Sequence, residues 1–169
     1  MNKQLPPKRT VVRSLQDALR GIWCSLRSER NMRIHLTAAL YVAFAAYSLR
    51  LSRIETALLA LTIGMVISAE ALNTAIEKHC DFNQKHYCGP IRNVKDIAAG
   101  GVLVAALAAV AVGIAIFWRP ALWQWLLSFV RVPHRGILLL LSFAVVWFFI
   151  FWGPDKIAEK LRVLFTRRK

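Results

Sequence analysis

The sequence has little of what an ordinary phosphate-handling or disulfide-built domain needs. Its eight glycines nowhere form a GxxxxGKS/T loop or the glycine-rich loop of protein kinases, so any nucleotide is held without the common phosphate cradle. Cysteines number three, Cys24, Cys80 and Cys88, and all fall in segments expected to face the cytoplasm, where thiols stay reduced; a disulfide framework is excluded. The first 31 residues are basic and interrupted, without the compact apolar core and small-residue site of a cleavable signal, and none is expected. Acid is scarce, with nine Asp and Glu against 23 Lys and Arg. Each carboxylate is therefore informative.

What the chain has in quantity is apolar length. Of its 169 residues, 57% are hydrophobic, and apolar runs long enough to cross a bilayer recur. Four spans are expected, at about 32–49, 56–76, 97–118 and 136–152. The charge sorts around them: 18 of the 23 basic residues lie in the stretch through Arg33, between the second and third spans, or after the fourth. The positive-inside rule makes that side cytoplasmic and puts both termini there. A net charge of +14 so arranged suits anionic headgroups, and no nucleic-acid partner is expected.

Before the first span, Val11, Leu15, Ala18, Ile22 and Leu26 recur at helical spacing, beside Arg13, Arg20 and Arg27. This is a basic amphipathic helix suited to the inner membrane surface. Residues 78–96, with the pair Gly89-Pro90, are expected as a polar cytoplasmic loop, and 119–135, with two prolines and Trp123 and Trp125, as an outer interfacial connector. Gly101, Ala105, Ala109 and Gly113 put small residues on one face of the third span, a ridge for close helix approach. The expected fold is thus all-α and membrane-integral. A surface helix (1–30) precedes a three-helix core (31–118), and a connector, an extra helix and a basic tail (119–169) follow.

Glu70 lies well inside the second span, where a carboxylate costs a few kcal/mol and marks a functional site by default. Asn73 and Glu77 follow on the same helix face, at about 100° per residue. Glu29 closes the surface helix, and Lys95 and Asp96 open the third span, at the same depth as Glu77. Grouped carboxylates suit a hard cation such as Mg²⁺, which keeps substrate phosphates in its shell, and a lysine suits phosphate. A carboxylate set back among apolar residues, stripped of water, suits accepting a proton from a hydroxyl delivered by lipid. Together these describe phosphoryl transfer from a metal-bound nucleotide to a membrane alcohol. The competing class is a scaffold or small transporter that uses the buried polar stripe for packing or proton movement. His79, Cys80, His86 and Cys88 fit no common zinc spacing, and His35, beside Arg33, is expected at headgroup level.

The segment AEALNTAIEKHCD (69–81), followed by KDIAAGGVLV (95–104), resembles the small integral-membrane diacylglycerol kinases of bacteria, a family that includes the undecaprenol kinases of Gram-positive organisms. RGIWCSLRSERNMRIHL (20–36) resembles the family's N-terminal part, and the likeness runs from about Arg13 to Trp118. It implies an Mg²⁺- and ATP-dependent lipid kinase of the bacterial cytoplasmic membrane, assembled as a homotrimer with sites between subunits. Diacylglycerol is the first expected substrate, giving phosphatidic acid, and undecaprenol the alternative. Carried over by position, Glu70 is the general base, Asn73 orients the catalytic face, and Glu29 and Glu77 hold the metal on ATP. Lys95 and Asp96 match the nucleotide-contacting pair, with His86, Tyr87 and Cys88 at the adenine and Asp81 a further acidic position. Arg33 and Ala99 fall in the lipid-substrate region. The chain departs from the pattern at His86-Tyr87-Cys88, where relatives carry Glu-Tyr-His. The fourth span and tail lie outside the likeness.

Overall fold

Thr10 starts the first helix by accepting a hydrogen bond from the Arg13 N–H on its hydroxyl, at 3.4 Å. The computed structural model describes residues 10–83 and 89–166. The described residues form six helices: α1 (Val11–Ser28), α2 (Arg30–Ser48), α3 (Arg53–Asn83), α4 (Gly89–Phe117), α5 (Pro120–Arg131) and α6 (Pro133–Thr166). The all-α membrane class expected from the sequence is the class observed. Three helices, over Arg53–Phe82, Gly89–Phe117 and Pro133–Pro154, are long and apolar enough to cross a membrane. The first expected span, 32–49, falls in α2, which is not among these three: Arg30, Arg33 and His35 dilute its first turns, and the short turn 49–52 folds it back alongside α3.

That turn is built tightly. Arg50 adopts a left-handed φ of 51°, and the N–H groups of Leu49, Arg50 and Leu51 close on the last carbonyls of α2. Ser52 and Glu55 then form a reciprocal cap on α3: the Ser52 N–H donates to Glu55 Oε2 at 2.8 Å, and the Glu55 N–H donates to Ser52 Oγ at 3.3 Å. The other Glu55 oxygen accepts from Arg119 just past α4, so one carboxylate ties the start of α3 to the end of α4. Beside it sits a small core of Ala46, Leu59 and Ile116.

Two expectations need correction. The segment 78–96 is not a loop: α3 runs on to Asn83 and α4 begins at Gly89, leaving only 84–88 outside the described residues. No glycine or proline interrupts 77–83, and Pro90 in the first turn of α4 suits helix entry. Leaving the hydrocarbon does not end a helix, and α3, at 31 residues, extends about 46 Å, well beyond a bilayer core. The connector is likewise helical, as α5, with Pro120 at its start. A Cβ added at Gly101 or Gly113 would meet nothing within 4 Å beyond its own helix; Gly101 is exposed, and Gly113 lines a cavity shared with α2 and α3.

α1 presents Val11, Leu15, Leu19, Ile22 and Trp23 outward, a row suited to the lipid surface. A single extended residue, Glu29 (φ −104°, ψ 126°), breaks the helix and sends the chain into α2. α6 packs on α2 through a Tyr41–Ser142 hydroxyl bond of 2.9 Å and the Tyr41–Phe143 ring pair, and α5 reaches α2 through Phe44–Trp125. Its crossing ends at Gly153 (φ 66°, ψ 163°), a backbone region essentially confined to glycine, and a further helical stretch follows.

Glu55 is both cap and ion-pair partner. Glu55→Ala is expected to lower the melting temperature in detergent, since it removes the cap on Ser52 and the partner of Arg119 together. An unchanged melting temperature would contradict the tie between the ends of α3 and α4.

Candidate active site

The i, i+3, i+4, i+7 spacing places Glu70, Asn73, Thr74 and Glu77 on one stripe of α3. α1 docks on the stripe at Thr74 and just beyond it at Lys78. Ser25, 3% exposed, meets Thr74, 4% exposed, hydroxyl to hydroxyl at 3.1 Å. Thr74 Oγ1 also bonds the Glu70 carbonyl oxygen at 2.9 Å, and Lys78 Nζ donates to Ser28 Oγ at 2.9 Å and to Cys24 Sγ at 3.4 Å. Small hydroxyls let the two helices approach closely, and the lysine pins the end of α1. Glu70 is 1% exposed and Asn73 6%.

Within the stripe, Asn73 Nδ2 donates to Glu77 Oε1 at 3.0 Å, which turns its carbonyl oxygen away from Glu77. That atom, Asn73 Oδ1, and Glu70 Oε2 are buried without a hydrogen-bond partner among the described residues. Each such acceptor costs about 1–3 kcal/mol, so the pair marks a place made for a donor or a cation. The charges of Glu77 and Glu29 both bear on Glu70, which brings the α1–α2 elbow into the same electrostatic neighbourhood. A hydroxyl O–H suits Glu70 Oε2.

The outer members divide. Lys95 reaches Asp81 across the α3–α4 pair at 2.5 Å and feels the charge of Glu77, so it belongs with the Glu77 side of the site. Asp96 turns the other way and pairs with Arg92 at 3.6 Å, two-thirds exposed; within one chain it is not brought to Glu70. Ala99 stands one turn past Lys95, exposed. Arg33 is buried, with its donors on three backbone carbonyls. His86, Tyr87 and Cys88 lie outside the described residues. His35, expected at headgroup level, instead lines an apolar cavity of about 300 Å³ between α2, α3 and α4, which runs along α3 past Ile63 and Ile67 toward the turn of Glu70.

Among the described residues no three of His, Cys, Asp and Glu gather into a complete metal cage. Mg²⁺ does not need one, since it is commonly held by one or two carboxylates with substrate phosphates completing its shell. The partly buried Glu77, the elbow residue Glu29 and the free Asn73 oxygen are hard donors of the right kind, and they fit that mode. The sequence reading missed the docking set of Ser25, Thr74 and Lys78. Its only signal was small hydroxyls on an otherwise basic helix and a threonine one turn after Glu70.

Residues 16–117 match the family described as prokaryotic diacylglycerol kinase. The chain is 41% identical over 107 residues to an undecaprenol kinase of Bacillus subtilis, a match covering 62% of this chain and 85% of that protein. It is 40% identical over 110 residues to a diacylglycerol kinase of Synechocystis sp., covering 64% of this chain and 63% of that protein. No solved structure matches.

If Ser25, Thr74 and Lys78 hold α1 over the stripe, Thr74→Leu should unseat it. Trypsin should then cut after Arg20 and Arg27 several-fold faster in membranes, by local opening. Cleavage at the unaltered rate would contradict the lid.

Proposed function

This chain belongs to the prokaryotic diacylglycerol kinase family, which makes it a membrane lipid kinase, and on that premise we propose that it transfers the γ-phosphoryl group of ATP to the hydroxyl of diacylglycerol, giving phosphatidic acid. The observation that carries this reading is Glu70, buried at 1% exposure with one carboxylate oxygen unpartnered among the described residues. Glu70 Oε2 accepts the hydroxyl proton as the lipid oxygen bonds to the γ-phosphorus and the bond to the ADP oxygen breaks. Asn73 holds Glu77 in place through its amide N–H groups and leaves its own oxygen facing the same region. Glu29 and Glu77 hold the metal side of the nucleotide, and Lys95, anchored by Asp81, meets phosphate as a positive charge. A bound magnesium ion would offset phosphate charge as transfer proceeds. The lipid's apolar part has room along the cavity that His35 and Ile67 line.

The hydroxyl, the base and the nucleotide must share one membrane face. α1, the inner end of α3, the start of α4 and the chain beyond Gly153 carry most of the basic residues, which supports placing that face, and both termini, at the cytoplasmic side of a bacterial inner membrane. The outward-turned Asp96 and the exposed Gly101 support a composite site in a homotrimer, a second copy meeting this end of α4. A domain division at about residues 30 and 118 follows the surface lid, the kinase core and the added α5–α6 unit.

Undecaprenol is the second reading, favoured by the relative that this chain matches over 85% of its length. Purified protein given each lipid with labelled ATP decides between them, and phosphorylation of neither overturns the kinase assignment. Glu70→Gln should cut turnover by about 10²–10⁴-fold, the usual worth of a general base, while the oligomer survives in detergent. Loss of assembly with turnover per folded unit intact would instead make the stripe structural. Glu77→Ala should raise the Mg²⁺ requirement or abolish activity, and unchanged metal dependence would remove it from that role.

A further inference from the structure

The family match ends at Phe117, before α5 and α6 begin, yet α6 reaches the site through one residue. Arg33 sits just inside the α1–α2 elbow at 6% exposure. Its Nη1 donates to Leu26 O at 3.1 Å and Arg27 O at 3.0 Å, last-turn carbonyls of α1 that have no partner within their own helix. Its Nε donates to Ile150 O at 3.0 Å, where the crossing part of α6 ends. One guanidinium thus joins the ends of two helices to a third. The approach depends on Gly153: a Cβ built there would meet Arg33 Nη1 at 3.3 Å, in a backbone conformation (φ 66°, ψ 163°) that only glycine adopts readily. A second link runs alongside, with the Arg30 guanidinium over the Phe151 ring at 5.7 Å. Glu29 lies between these anchored arginines and the end of α1. Its carboxylate makes no capping bond, so its position follows from the elbow.

We propose that the end of the α6 crossing is a positioning strut for the metal side of the site: Gly153 admits Arg33, Arg33 clamps the elbow, and the clamp fixes where Glu29 stands. This rests on the kinase reading with Glu29 at the nucleotide-bound metal. Arg33 and Gly153 are positioning residues, and the group that acts is Glu29. The appended unit is then part of the machinery that orders the nucleotide side, though it supplies none of the contacting groups.

The test uses the full-length chain in lipid nanodiscs, with Gly153→Val, Glu29→Gln and the two combined. Ser142→Ala, which loosens α6 from α2 away from the elbow, is the control. Two readouts are taken: the Mg²⁺ concentration that half-saturates turnover, and the binding of Mn²⁺ with a non-hydrolysable ATP analogue followed by electron paramagnetic resonance. Gly153→Val should weaken both on the order of tenfold, as loss of support behind a metal ligand does. Turnover at saturating metal should stay within about twofold. Ser142→Ala should move neither readout, and in the Glu29→Gln background Gly153→Val should add nothing. If Gly153→Val does not fold, Gly153→Ala carries the same comparison, because any side chain is strained at this φ. No shift, or the same shift with and without Glu29, overturns the strut. An unaltered chain that phosphorylates no lipid defeats the kinase reading instead, and the Mn²⁺ binding still decides the strut.

Discussion

Glu70 is placed where a carboxylate is expensive, and the molecule around it is organised by that cost. One of its oxygens has no partner among the described residues, and the helix face that carries it also carries the free oxygen of Asn73. A protein gains nothing in stability from such an arrangement, since well-packed apolar residues there would do better. What the arrangement provides is a desolvated proton acceptor beside a row of hard oxygen donors. α1 docks on this face through hydroxyls and one lysine. A lid docked through polar contacts opens at lower cost than one sealed by a core, which suits a site that must admit both a lipid and a nucleotide.

The described fold has a thin interior. The buried apolar cluster of Ala46, Leu59 and Ile116 lies at one end, beside the Glu55–Arg119 tie, while the opposite end is joined by polar groups. The two ends differ in build: one fixes the hairpin and the α3–α4 pair, and the other gathers the polar stripe of α3. Large apolar residues along α3, α4 and α6 face outward, as in a protein whose solvent is lipid, and packing between such helices falls to small residues and interhelical hydrogen bonds. Tyr41–Ser142 and Arg33–Ile150 are bonds of that kind.

Much of this was legible in the sequence because the signals are strong ones. Long apolar runs, sorted positive charge and a lone carboxylate at helical spacing from Asn73 and Glu77 follow from the bilayer's thickness and the helix's period. Three things were not legible. The helices overrun the membrane because hydropathy marks where lipid ends and says nothing of where hydrogen bonding ends, so 78–96 and 119–135 read as connectors. Arg33 falls in the lipid-substrate region by resemblance, and nothing in the sequence marks its carbonyl partners, which lie on α1 and on α6, the latter more than a hundred residues away. Asp96 finds Arg92 one turn back on α4, a spacing the sequence carries, whereas the turn of Lys95 toward Asp81 is decided by the packing of α3 against α4.

The account stands on Glu70 being a chemically available acid group and not a structural plug. Reaction of the membrane-embedded protein with dicyclohexylcarbodiimide, read by peptide mass spectrometry against residual turnover, addresses that directly. Modification confined to Glu70, inactivating one site per group modified and blocked when lipid and a non-hydrolysable Mg-ATP analogue are both bound, is the predicted result. Full turnover by protein whose Glu70 is quantitatively modified would contradict it.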